Sequence, residues 1–169
     1  MAAKYSRAVQ KELMQKEIEQ NPEIAAIRRR ILALSLVWIV SRVLVTAVEI
    51  VGAMQEMWDF QATNLSGLAV MAIFAAGVYA GERGLAILPI LGGVLMLFQW
   101  FAYDYLYIMI SNEYYTLARV YAALFLLTSL IQLSVFVYLT LSKSVAPLFD
   151  AHKRTIAAAR QDWELTHMK

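Results

Sequence analysis

Polar residues recur every seven positions within one mostly apolar stretch: Ser35, Arg42, Glu49 and Glu56. On an α-helix this spacing places them on one face, and Thr46 lies one turn beyond Arg42 on the same face. A buried arginine can supply the counter-charge for an anionic or polar solute, and a carboxylate can exchange a proton. The stripe therefore either lines a polar path or is a packing face whose polar groups are satisfied.

Polar side chains on other helices are expected to approach this stripe. Counted from the ends of their apolar runs at ~1.5 Å per residue, Gln132 and Arg42 both lie about 15 Å deep, so they are predicted to meet. Glu49 and Asp104 are predicted at a similar depth near the opposite surface, where two carboxylates would suit acid-base chemistry. The predicted ligand or ion pathway is Arg42, Thr46, Glu49, Gln99, Asp104 and Gln132.

The run that contains Arg42, residues 31–52, is long enough to cross a bilayer. At ~1.5 Å per residue it spans ~33 Å, against ~30 Å of hydrocarbon, which puts Arg42 near the midplane. An arginine at that depth costs ~2.5 to 3.5 kcal/mol on insertion scales. We therefore expect its guanidinium to face protein or water rather than lipid.

Composition indicates a membrane protein. The 169-residue chain is 60% hydrophobic and 17% charged, against roughly 25% charged in soluble domains. Runs 60–81, 84–103 and 120–142 contain no Asp, Glu, Lys or Arg, and runs of this length are transmembrane candidates. The prediction is an all-α fold in which domain 22–142 forms one bundle of four transmembrane helices, over about 31–52, 62–81, 85–107 and 117–142.

Amphipathic helices are predicted on both sides of this domain, in segments 1–21 and 143–169. Each segment would lie on the lipid bilayer or pair with another helix. If the loops alternate sides, the side that holds both termini carries thirteen lysines and arginines, and the other carries only Arg119. The positive-inside rule then predicts cytoplasmic termini, in a plasma or inner membrane.

Small and aromatic residues each leave two interpretations open. In the second span Ala72, Ala76 and Ala80 repeat every four residues and Gly77 and Gly81 form a GxxxG pattern, which favours close helix packing either within the chain or in a homo-oligomer. The tyrosines and tryptophans between positions 100 and 121 are typical of an aromatic belt at the membrane surface. Alternatively, the tyrosines and the acidic residues among them form an outward-facing pocket for a cationic or amphipathic ligand.

No catalytic or metal-binding signature is present. The chain lacks cysteine, which excludes thiolate and disulfide chemistry, and it lacks the serine-hydrolase, zinc-protease and nucleotide-binding motifs. Its two histidines, His152 and His167, are too far apart to form a helical metal pair. We expect no cofactor, no metal, no nucleic-acid partner and no enzymatic activity.

Two functions remain. The first is an integral membrane interaction or accessory subunit that binds a protein partner. The alternative is a small transporter or channel with a polar midplane site around Arg42. Water around the polar stripe would favour transport, and a dry, paired stripe would favour the accessory role.

Overall fold

The computed structural model describes residues 2–59, 63–111 and 115–167, and every element in these ranges is helical. The α-helices are α1 (Ala2–Gln20), α2 (Pro22–Met54), α3 (Thr63–Ala80), α4 (Ile87–Ala102), α5 (Tyr105–Ile110), α6 (Thr116–Leu141) and α7 (Ala146–His167). Short 3₁₀ turns at Arg83–Ala86 and Lys143–Val145 precede α4 and α7.

Three of these segments are long and apolar enough to cross a membrane: Pro22–Met54, Arg83–Ala102 and Thr116–Leu141. They indicate a membrane protein. In α3 the apolar part that the structure describes, Leu65–Ala80, is shorter than these segments. A fourth crossing therefore stays a prediction.

The sequence predicts where the long helix α2 begins, because Asn21, Pro22 and Glu23 are residue types typical of the N-cap, N1 and N2 positions, and it predicts that this helix continues through the arginines into the apolar run. The side chain of Asn21 accepts a hydrogen bond from the amide of Glu23 at 3.0 Å, and Pro22 occupies the first turn, where its missing N–H costs nothing. The helix then runs unbroken through the arginine cluster at 28–30. This confirms the predicted start and continuity of the first long helix.

The third predicted span, 85–107, is interrupted in the structure. Helix α4 ends at Ala102, and Asp104 adopts the left-handed backbone conformation (φ 52°) before α5 begins. A left-handed residue cannot continue an α-helix, so the chain changes direction there. Residues 105–107 consequently belong to a separate short helix.

The helices pack in the lateral order α3, α2, α6, α4. Helices α2 and α6 are antiparallel, because Arg30 contacts Tyr138, Trp38 contacts Gln132 and Glu49 contacts Tyr121. The outward faces of α2, α4 and α6 carry exposed Leu, Val and Phe side chains, including Leu36, Val40, Leu95, Phe98 and Leu127. Apolar surface of this extent on several helices is suited to lipid contact.

Helices α1 and α7 pack against each other at the end of the bundle where α2 begins and α6 ends. They are antiparallel, since Glu17 pairs with Arg154 whereas Val9 shares a cleft with Asp162. One hydrophobic core joins this pair to the apolar helices; it contains Met14, Ile24, Ile27, Leu148 and Phe149. Phe149, Ile156 and Trp163 recur every seven residues on α7, but Phe149 is buried and Ile156 is exposed, so the repeat does not form one uniformly buried face.

The alanine repeat of α3 borders surface clefts and not the buried core: Ala72 and Ala76 line a cleft with α2, and Ala80 lines a cleft with α1 and α7. Ala72, Ala76 and Ala80 are exposed, and Met71, Ala75 and Val78 are the buried residues of this helix. Gly77 of α3 and Gly81, which follows this helix, do make close contacts. A Cβ at Gly77 would meet Leu85, and one at Gly81, where φ is +106°, would meet His152.

Candidate functional site

A polar contact joins the three long apolar helices α2, α6 and α4. The side-chain oxygen of Gln132 accepts a hydrogen bond from the indole N–H of Trp38 at 3.0 Å. Its amide nitrogen donates to the backbone carbonyl of Pro89 at 2.6 Å. Gln132 is buried, and it joins α6 to α2 on one side and to α4 on the other.

Two glycines of α4 make this contact possible. A Cβ at Gly92 would lie 3.0 Å from the Gln132 amide nitrogen, and a Cβ at Gly93 would lie 2.8 Å from the Leu133 side chain. Without side chains at these positions, the backbones of α4 and α6 approach closely enough for Gln132 to reach the Pro89 carbonyl. This is the close approach for which small residues are used in membrane helices.

Arg42 lies on α2 between the Trp38 and Glu49 contacts to α6, and its side chain is half-buried. No hydrogen bond or ion pair joins its guanidinium to another residue within 2–59, 63–111 or 115–167. The predicted partner, Gln132, is engaged one helical turn away, by Trp38. The structure therefore places Arg42 next to the polar contact but not in it.

Several buried hydroxyl groups lie on α2 and α6, within one helical turn of Arg42 or of the Trp38–Gln132 contact. Those of Ser35, Thr46 and Thr128 are buried and have no hydrogen-bond partner among the described residues. Ser41 and Ser129 instead donate to carbonyls of their own helices, at 2.7 Å each. Thr46 and Thr128 are thus buried polar groups near the level of Arg42 with unused hydrogen-bonding capacity.

A second polar contact lies at the end of the bundle away from α1 and α7. One carboxylate oxygen of the buried Glu49 accepts a hydrogen bond from the Tyr121 hydroxyl at 3.0 Å. The Tyr121 ring lies 5.6 Å from the Trp58 ring and 5.9 Å from the Tyr105 ring, measured between centroids. Aromatic rings therefore cover the carboxylate of Glu49.

The turn after α2 positions Trp58. Glu56 has a left-handed backbone (φ 55°), and the amide of Met57 returns to the carbonyl of Gly52 at 2.9 Å, as in a Schellman motif. Trp58 then packs directly on Gly52, where a Cβ would lie 2.0 Å from the indole. Its indole N–H donates to the carbonyl of Glu49 at 2.9 Å.

The remaining residues of the predicted pathway lie apart from these contacts. Gln99 and Asp104 are exposed, whereas Thr46, Glu49 and Gln132 are buried. Gln132 and Glu49 belong to two separate contacts, and Arg42 lies between them along α2. Glu56, the last member of the seven-residue repeat, is exposed in the turn.

Sequence reasoning missed the aromatic partners of the buried polar groups. Trp38 is a tryptophan in the middle of an apolar run instead of at a membrane surface, which is a usable signal that its N–H needs a buried acceptor. No comparable signal distinguishes Tyr121 in the sequence, because it is one of several tyrosines and tryptophans between positions 100 and 121. In the structure Tyr103, Tyr107 and Tyr115 are exposed, whereas Tyr105 and Tyr121 are partly buried beside Glu49.

No group of three or more His, Asp or Glu side chains able to hold a metal ion occurs in the part of the chain that the structure describes. No family model, no curated protein and no solved structure matches this chain. We therefore infer the function from the geometry of the molecule.

Proposed function

We propose that the protein is an integral membrane interaction or accessory subunit. The observation that carries the proposal is the use of its buried polar groups: Gln132 joins three helices, and Glu49 joins α2 to α6. Such interhelical hydrogen bonds fix helices relative to one another. Side chains that hydrogen-bond between helices have less capacity to bind a passing solute. Their use here supports a scaffold role more than a path for solutes.

The α1 and α7 pair supports the same proposal. These helices share a core with the apolar helices, so they form a platform with a fixed orientation to the bundle. On α7, Ile156 and Leu165 are exposed large apolar side chains among exposed charges. We propose that all four helices α2, α3, α4 and α6 cross the bilayer, that both termini are cytoplasmic, and that this platform meets a cytoplasmic part of the partner.

Co-purification from native membranes tests this role. Deleting α7 would remove Leu148 and Phe149 from the core. Loss of partner binding could then not be distinguished from loss of folding. The sharper variant is Ile156→Asp with Leu165→Asp, which changes only exposed side chains. We expect this variant to lose a partner that the wild type retains, while Val37→Asn, on the exposed face of α2, retains it. Absence of any specific partner for the wild type would end the proposal.

A small transporter or channel, oligomeric through the exposed alanines of α3, is the second candidate. The observation that favours it is Arg42, a half-buried cation without a carboxylate partner among the described residues, close to the buried hydroxyl of Thr46. An anionic solute would supply the missing charge.

Flux of anions into proteoliposomes tests the second candidate. If it is correct, Arg42→Leu abolishes flux and Arg119→Leu, at the edge of α6, does not. Flux that is equal in wild-type and Arg42→Leu liposomes would remove Arg42 from any such role.

A further inference from the structure

A cleft with an excess of positive charge lies beside the α1 and α7 pair. Its volume is about 440 Å³, within the ~300 to 1,000 Å³ usual for small-ligand sites. It is bounded by α1, by the beginning of α2, by the end of α3 and by α7. Three cationic side chains line it, Arg7, Lys11 and Arg28, against the carboxylate of Glu82.

The charges of this cleft are not neutralised by ion pairs. In the ranges that the structure describes, the ion pairs are Glu12 with Lys16 and Glu17 with Arg154, and all four of these residues lie outside the cleft lining. Cations that share a cleft without carboxylate partners repel one another, so an anion bound between them relieves that repulsion.

Arg28 is held in place while part of its hydrogen-bonding capacity stays unused. Its guanidinium carbon lies 4.0 Å from the centroid of the Tyr79 ring, a cation-π contact that fixes the side chain against α3. Its Nε is buried and has no hydrogen-bond partner among the described residues. A guanidinium that is already oriented loses less freedom when it binds an anion.

Neutral donors extend the polar lining. The side-chain amide nitrogen of Gln10 lies 3.5 Å from Nδ1 of His152. His152 is buried against Gly81, and its Nε2 has no partner within the described chain. Gln10, Gln15 and His152 therefore add neutral polar groups to the cationic side chains of the lining.

We propose that this cleft binds the phosphate group of an anionic ligand, with an acidic phospholipid headgroup as one source and a free phosphate as the other. Arginine and lysine side chains bind phosphate through charge-assisted hydrogen bonds. Arg28 lies three residues before Ile31, about 4.5 Å along α2 from the start of the apolar run. That position puts the cleft at the depth of the headgroups, and phosphate binding there requires no protein partner.

Native mass spectrometry of the full-length protein released from lipid nanodiscs tests this inference. One nanodisc contains phosphatidylcholine alone, and the other contains phosphatidylcholine with phosphatidylglycerol. We expect retention of phosphatidylglycerol in preference to phosphatidylcholine. Displacement of that lipid by inorganic phosphate supports the cleft as a general phosphate site, and lack of displacement supports the lipid as the ligand. Retention of neither phosphatidylglycerol nor inorganic phosphate would overturn the inference.

Charge-matched variants locate the binding. Arg28→Gln and Lys11→Gln should each weaken phosphatidylglycerol binding about tenfold, the usual effect of losing one charge-assisted hydrogen bond. Arg29→Gln removes the same charge from an exposed neighbour outside the cleft, and it should change affinity less than about twofold. Lys11 lies on α1 and has no cation-π contact, so its variant tests the site even if Arg28→Gln fails to fold. Equal losses in the Arg29 variant and the two cleft variants would show diffuse attraction and refute the site.

Discussion

The indole N–H of Trp38 donates to the side-chain oxygen of Gln132 at 3.0 Å, which fixes α2 against α6. The Phe136 ring meets the Trp38 ring edge-on, with 4.6 Å between centroids. Aromatic packing and the hydrogen bond therefore both fix the position of the Trp38 indole. Since Gln132 also donates to Pro89, this one amide side chain determines how three helices are placed.

Replacing Gln132 with leucine should destabilise the fold. Gln132→Leu removes both hydrogen bonds and leaves the buried indole N–H of Trp38 without an acceptor. Interhelical hydrogen bonds in membranes contribute about 0.6 to 2 kcal/mol each, so we expect the free energy of unfolding to fall by about 1 to 3 kcal/mol. Reversible unfolding in mixed micelles measures the change.

Gln99→Leu is the matched control for that variant. Gln99 lies on the exposed face of α4, so its replacement should leave the free energy of unfolding unchanged or raise it. A loss in the Gln99 variant as large as in the Gln132 variant would mean that the Gln132 contact has no special role.

The sequence predicted the long helices and the Asn21 cap, and it placed Gln132 within one helical turn of the α2 residue that it contacts. It could not predict that Gln132 meets Trp38 instead of Arg42. Counting residues from the ends of two apolar runs assumes that both runs end at one plane and that both helices stand upright, and a sequence contains neither the tilt of a helix nor its offset along a neighbouring helix. Periodicity also gives the face of a helix but not the neighbour that packs on it, which is why Gln99 and Asp104 were grouped with residues that lie elsewhere.

Replacing Arg42 with leucine should be tolerated. No residue within the described ranges bonds its guanidinium, so Arg42→Leu removes a half-buried charge without leaving a partner unpaired, and the free energy of unfolding should stay the same or rise. Glu49→Leu should instead lower it by about 1 to 3 kcal/mol, because the Tyr121 hydroxyl loses its acceptor. Equal changes from both substitutions, measured by the same unfolding assay, would contradict this difference.

The hydroxyl of Tyr121 should contribute measurably to stability. Tyr121→Phe keeps the ring that packs between Trp58 and Tyr105 and removes only the hydrogen bond to Glu49, so we expect a loss of about 0.5 to 2 kcal/mol. Tyr115→Phe removes a hydroxyl from an exposed ring and should have no effect. Thermal unfolding of both variants in one detergent distinguishes them, and an unchanged midpoint for Tyr121→Phe would show that this bond is not formed in solution.

Alanine should have opposite effects at Gly67 of α3 and Gly52 of α2. At Gly67 a Cβ meets nothing within 4 Å, so Gly67→Ala should raise the free energy of unfolding by about 0.5 to 1 kcal/mol through its better helix propensity. At Gly52 a Cβ would lie 2.0 Å from the Trp58 indole, so Gly52→Ala should displace Trp58, break its bond to the Glu49 carbonyl and cost about 1 to 3 kcal/mol.

A double-mutant cycle shows whether the cost at Gly52 acts through Trp58. In a Trp58→Ala background the space above Gly52 is already open, so adding Gly52→Ala should cost much less than it does in the wild type. The coupling between the two substitutions, measured as free energies of unfolding, should be about 1 kcal/mol or more. Additive effects would mean that the Trp58 indole does not pack on Gly52. They would also mean that Trp58 does not help to cover the Glu49 carboxylate.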